Sequence, residues 1–152
     1  MRRTKVLGNI SCQNVCRARI LKELMKAHPI ATELDIRERS EYFRGLLLIM
    51  AADGDLHEME ERLVREAVKP FGFSEEYIDE SIHGILKNSH VSHEPPRFSN
   101  KRNAEKFLTD ALDIAFADNE LHEREEHWLR AAAEANAIDL HWLRDEIARR
   151  ER

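Results

Sequence analysis

The chain has 152 residues, enough for one domain with a hydrophobic core that needs neither disulfides nor a structural metal. Hydrophobic residues make up 42% and charged residues 35%, too apolar for a disordered chain, and only five Gly and four Pro break it, which favours helices. The net charge of −5 is unevenly spread: residues 1–30 sum to +6 through Arg2, Arg3, Lys5, Arg17, Arg19, Lys22 and Lys26 against Glu23, which leaves −11 for the rest. An acidic body with a basic leader argues against broad nucleic-acid binding and suits cations or basic partner surfaces.

Residues 11–26 place Val15, Ile20, Leu21 and Leu24 near helical spacing, with Ser11 as a cap and Pro29 as the stop. Cys12 and Cys16 stand as C-x3-C inside that helix, which is neither a zinc knuckle nor a redox pair and reads as two reduced thiols. Residues 35–52 form the most apolar helix, capped by Asp35, with Phe43, Leu46, Leu47, Met50 and Ala51 inside. Its apolar run, Leu46–Ala52, is far shorter than the roughly 20 residues of a membrane span. No long apolar stretch follows the N-terminal charges, so no secretory signal is expected.

After the loop Asp53–Leu56, a helix over about 57–70 presents Leu63, Val64, Ala67 and Phe71. Ser74 caps the next, with Tyr77, Ile78, Ile82, Ile85 and Leu86 inside. Residues 88–98 are a loop because Pro95-Pro96 excludes helix interior. A long helix then runs from Ser99 or Asn100 to Ala117, followed by the loop Asp118–Leu121, a helix over 122–135 and a last one over 139–150 capped by Asp139. The expectation is an all-α bundle of about seven helices, with Trp128, Trp142, Tyr77 and Phe43 in the core.

An internal repeat organises this chain. DGDLHEMEE at 53–61 returns as DNELHEREE at 118–126, at an offset of 65 without gaps. Identities continue outward at Leu47/Leu112, Ile49/Ile114, Ala52/Ala117, Arg65/Arg130, Ala67/Ala132 and Ile82/Ile147. The domain reading is a basic segment, 1–34, followed by a duplicated unit, 35–152, with repeats at about 35–87 and 100–151.

Each repeated loop begins with Asp and then Gly54 or Asn119, the residue types that most readily take positive φ. Leu56 and Leu121 would anchor the loops, His57 and His122 fall at N-cap positions, and Glu60 and Glu125 fall at N3, where a capping-box Glu reaches back. Acids here complement the helix dipole, which accounts for Glu58, Glu60 and Glu61 without any ligand. It accounts less well for Asp53, Asp55, Asp118 and Glu120, which precede the helices. Carboxylates beside helix-end carbonyls suit a hard cation, and two such loops brought together would repel unless a cation or proton intervened. The candidate ligands are Asp53, Asp55, Glu60, Asp118, Glu120 and Glu125, with His57 and His122 secondary; nitrogen ligands would shift preference toward zinc or manganese. Which of calcium, magnesium, manganese and zinc is preferred stays open.

The loop is not an EF-hand: counted from Asp53, position six is Glu58 and position twelve is Val64. His57-x-x-Glu60 at a helix start also reverses the di-iron order, Glu-x-x-His in helix interiors. His90 and His93 with Glu94 form an H-x-x-H sequence in a polar loop, read as solvated. Nothing matches a phosphate-cradling Gly loop, a nucleophile elbow or a catalytic triad.

The pattern A-D-G-x-[VL]-x-x-x-E after an apolar helix, present twice at Ala52–Glu60 and Ala117–Glu125, resembles the tellurite-resistance TerB family. The second copy is also similar to the TerB-like domain of the DjlA co-chaperones. Asn119 departs from the usual Gly, and His57 and His122 stand where Ser, Thr or Asp is common. No His-Pro-Asp of a J-domain occurs. The resemblance implies a helical bundle, acidic loops holding a divalent cation at Asp53, Glu60, Asp118 and Glu125, and a role in stress response or protein interaction. The resulting expectation is a non-enzymatic cytoplasmic module with an unidentified protein partner, no nucleic acid and no membrane span. The alternatives are an interaction or co-chaperone-like module without metal, and a metal-dependent hydrolase.

Overall fold

A computed structural model describes residues 34–152, which lie within one compact unit, Ala31–Arg152. The helix expected over 11–26 and the two cysteines fall outside the described residues. Six α-helices follow: α1 (Ile36–Met50), α2 (Glu58–Val68), α3 (Glu75–Gly84), α4 (Lys101–Ala115), α5 (Glu123–Ala135) and α6 (Leu140–Glu151). A 3-10 turn, Lys69–Phe71, extends α2, and no strand occurs among the described residues. None of these helices is long and apolar enough to cross a membrane.

The helix starts follow side-chain capping chemistry. Asp35 accepts from the Glu38 N–H (2.8 Å), Ser74 from Tyr77 (3.1 Å), Asn100 from Asn103 (2.9 Å) and Asp139 from His141 (2.8 Å). The Glu38 carboxylate does not turn back to its own cap; it accepts from the Ser99 N–H (2.6 Å) and ties α1 to the start of α4.

The core is built on α1 and α4. α1 buries Tyr42, Phe43 and an unbroken run from Gly45 to Met50, as a helix enclosed on several sides must. It packs on α4, α2 and α5, while α4 also meets α2 and α5, and α6 closes on α5. Close approach of α1 to α4 depends on Gly45: a Cβ there would lie 2.6 Å from Phe107 Cζ and 2.7 Å from Pro96 Cγ. Tyr42 sits edge-on to Phe71, Phe98 and Phe107, with ring centroids 5.1–5.7 Å apart.

The long loop over 88–98 is held at several points. Arg44 donates to the carbonyls of Ser92 and Glu94 (2.7 Å each), and Asn136 bridges Pro96 O (2.8 Å) and the Phe98 N–H (2.9 Å). Two expected interior positions turn outward: Tyr77 and Leu86 are each 48% exposed. α3 buries Ile78 and Ile82, and Tyr77 beside them lies at the edge of that stripe with ring contacts to Phe73 and Phe43. Trp128 and Trp142 are half-buried rather than core, whereas Phe43 is buried as expected.

Candidate functional site

The two acidic loops adopt the same hydrogen-bonding scheme. α1 ends as the Gly54 N–H returns to Ala51 O (3.0 Å); after α4, the Asn119 N–H returns to Phe116 O (2.9 Å). Gly54 (φ 91°) and Asn119 (φ 69°) take the left-handed conformation expected of them. Asp53 Oδ1 then accepts from the Asp55 N–H (2.9 Å), and Asp118 Oδ1 from the Glu120 N–H (3.1 Å), closing an Asx-turn in each loop.

His57 and His122 occupy the N-caps of α2 and α5. Their rings turn back to the aspartates: His57 Nε2 lies 3.2 Å from Asp53 Oδ2, and His122 Nε2 lies 3.2 Å from Asp118 Oδ2. The N3 glutamates supply the reaching-back half of a capping box, with Glu60 Oε2 accepting from the His57 N–H (3.4 Å) and Glu125 Oε2 from the His122 N–H (2.9 Å). One turn on, Glu61 pairs with Arg65 (2.8 Å) and Glu126 with Arg130 (2.9 Å).

Burial separates these acids. Glu60 and Glu125 are 2% and 0% exposed, whereas Asp55, Asp118 and Glu120 stand in solvent and Asp53 is half-buried. Glu125 Oε1 is buried with no hydrogen-bond partner. Burial pushes both glutamates up from 4.5 to about 7, against the opposing pull of the His N–H donors and rings. The rest of the upward push comes from both loops: Glu60 feels Asp53 of its own loop and Glu125 of the other, while Glu125 feels Asp118 of its own loop and Asp53 of the other. For Asp53, burial is outweighed by the Asp55 N–H and the His57 ring, helped by His122 of the other loop, and its carboxyl falls below the usual range. Each His ring is raised by its hydrogen bond to Asp53 or Asp118.

Of the sequence candidates, Asp53, Glu60, Asp118 and Glu125 therefore share one electrostatic neighbourhood, with the two His rings facing the aspartates. Asp55 and Glu120 lie at its exposed edge, where they help hold the His57 and His122 rings up. Among the described residues, no group of three or more His, Cys, Asp or Glu side chains is already arranged to hold a metal ion. The donors that are present are hard carboxylate oxygens, one of them buried and unsatisfied, which is the chemistry a hard cation or a proton neutralises. His90 and His93 are exposed in their loop, consistent with the solvated reading.

A second polar cluster carried little sequence signal. Tyr42 Oη donates to Asp110 Oδ2 (2.5 Å), and Lys106 pairs with the same carboxylate. Beside it, Arg150 bridges Asp113 (2.8 Å) and Glu146 (3.0 Å), linking α6 to α4. Burial raises Asp113 despite Arg150, and burial followed by Asp110 raises the Tyr42 hydroxyl well above the usual range. The i,i+4 spacings of Lys106 with Asp110 and of Glu146 with Arg150 were the local clues; Tyr42 reaches Asp110 only through the α1–α4 packing. Comparison of the chain with family models, curated proteins and solved structures finds no match.

Proposed function

We propose that this chain is a non-enzymatic, TerB-like module, built on an internal duplication, whose two acidic loops bind a divalent cation. The observation that carries this reading is Glu125 Oε1, buried without a partner and repelled by carboxylates of both loops. Asp53, Glu60, Asp118 and Glu125 would hold the ion, with Asp55 and Glu120 supporting it from the exposed edge. The ion would offset the charge of buried carboxylates that otherwise take up protons near neutrality. With the loops neutralised, the face formed by the starts of α2 and α5 becomes a binding surface for a protein partner. The family likeness points to a cytoplasmic role in stress response.

One observation favours a second reading, a metal-free interaction module. Asp53, Asp118, Glu60 and Glu125 each already accept a hydrogen bond within their own loop, the aspartates closing Asx-turns and the glutamates capping α2 and α5. Calorimetric titration of calcium, magnesium, manganese and zinc into chelator-treated protein separates the two. Cation binding predicts heat and a rise in melting temperature, about 2.7 kcal/mol of added stability at a hundredfold excess over Kd. Asp53→Asn with Asp118→Asn should abolish that rise. Absence of heat and of any shift at millimolar ion selects the metal-free module.

A further inference from the structure

A groove of about 430 Å³ opens on the surface of this unit, within the size range of small-molecule sites. Leu48, Ile85 and Leu86 supply its apolar surface, and Trp128 forms a wall. Leu86 is 48% exposed there, a position the helical pattern had placed inside. The polar side chains at the rim include Lys87, Arg124, His93 and His127.

Two features make this groove unlike a generic apolar dent. The chain carries 29 acidic residues, more than its 24 Lys and Arg, yet no Asp or Glu lines the groove. Neither Lys87 nor Arg124 meets a carboxylate among the described residues, whereas Arg44, Arg65, Arg130, Arg149 and Arg150 all do.

We propose that the groove binds a small amphiphilic carboxylate. Lys87 and Arg124 take the anionic head, and an aliphatic or aromatic body lies on Leu48, Ile85, Leu86 and Trp128. Charge complementarity selects an anion, and the apolar floor selects one with a body of several carbons over a bare inorganic ion. This inference uses none of the carboxylates of the cation reading; Arg124 stands beside Glu125 at the start of α5, so the chelator in the test keeps the two readings separable.

The test is titration of octanoate into the isotopically labelled full chain with chelator present, followed by proton–nitrogen correlation spectra. The expected result is saturable shifts at groove residues, including the Trp128 indole N–H. Octan-1-ol, with the same body and no charge, should bind at least about fivefold more weakly. Lys87→Gln with Arg124→Gln should weaken octanoate by about fivefold and leave octanol unchanged. Both side chains are exposed, so the fold is retained, and the acid-to-alcohol ratio needs no variant at all. Equal affinity for acid and alcohol, shifts outside the groove, or undiminished octanoate binding in the double variant would each overturn the proposal.

Discussion

Glu125→Gln is expected to stabilise the protein at pH 8 and to give no gain at pH 4.5. Glu125 is fully buried; Oε2 accepts the His122 N–H at 2.9 Å and Oε1 has no partner. Gln keeps the shape and can keep the acceptor, but removes a charge that burial and the neighbouring aspartates disfavour. The rise from 4.5 to about 7 corresponds to about 3 kcal/mol when the carboxyl is fully ionised. The sign follows from linkage. A carboxyl raised on folding binds more protons folded than unfolded, so stability is full below about 4.5 and declines until the pH passes about 7.

The His57 and His122 rings, raised by their aspartates, push in the same direction, since their contribution is also lost as pH rises. Asp53 works at the other end, losing its contribution as pH falls below the usual carboxylate range. Wild-type stability should therefore peak in mild acid. The variant should gain roughly 1–3 kcal/mol at pH 8, the lower figure allowing for an imperfect amide fit at Oε1. That is about 3–5 °C per kcal/mol in melting temperature for a unit of this size. Urea unfolding and thermal melts at pH 4.5, 6 and 8 in chelator measure it. A variant less stable at pH 8, or one offset equally at every pH, would refute the argument that Glu125 carries a disfavoured charge.

Gly45→Ala tests the α1–α4 contact. Helix propensity favours Ala by about 1 kcal/mol, but the new Cβ meets the immobile Phe107 ring at 2.6 Å. The clash should win, with a net loss of about 1–3 kcal/mol in chemical denaturation. Gly54→Ala meets no atom within 4 Å but must adopt φ 91°, so a loss of about 1–2 kcal/mol is expected, measured the same way. Tyr42→Phe removes the hydroxyl donor from buried Asp110 and should cost about 1–3 kcal/mol, visible as a lower urea midpoint with unchanged slope.

The local rules of helix starts and turns were legible in the chain. Asp35, Ser74 and Asp139 cap the helices they precede, and Gly54 and Asn119 take the left-handed turns, because these depend on one residue and its near neighbours. Glu60 and Glu125 were readable as N3 acids for the same reason. Their burial was not, since an N3 side chain faces solvent or protein according to which neighbouring helix covers it. The same limit hid the outward turn of Tyr77, which lies at the edge of the stripe that α3 buries through Ile78 and Ile82, while Leu86 is exposed because the helix ends before it, at Gly84.

The amino-acid order by itself determined the helical class, the caps, and two like-charged loops that each satisfy their own backbone. Tertiary structure decided that carboxylates of one loop lie within electrostatic reach of the other, which turns ordinary capping acids into groups that titrate near neutrality. Tertiary structure likewise decided that Lys87 and Arg124, 37 residues apart, border one acid-free groove. Capping is a short-range exchange of hydrogen bonds and is written locally. Desolvation and charge repulsion depend on everything packed nearby, and only the folded chain supplies that.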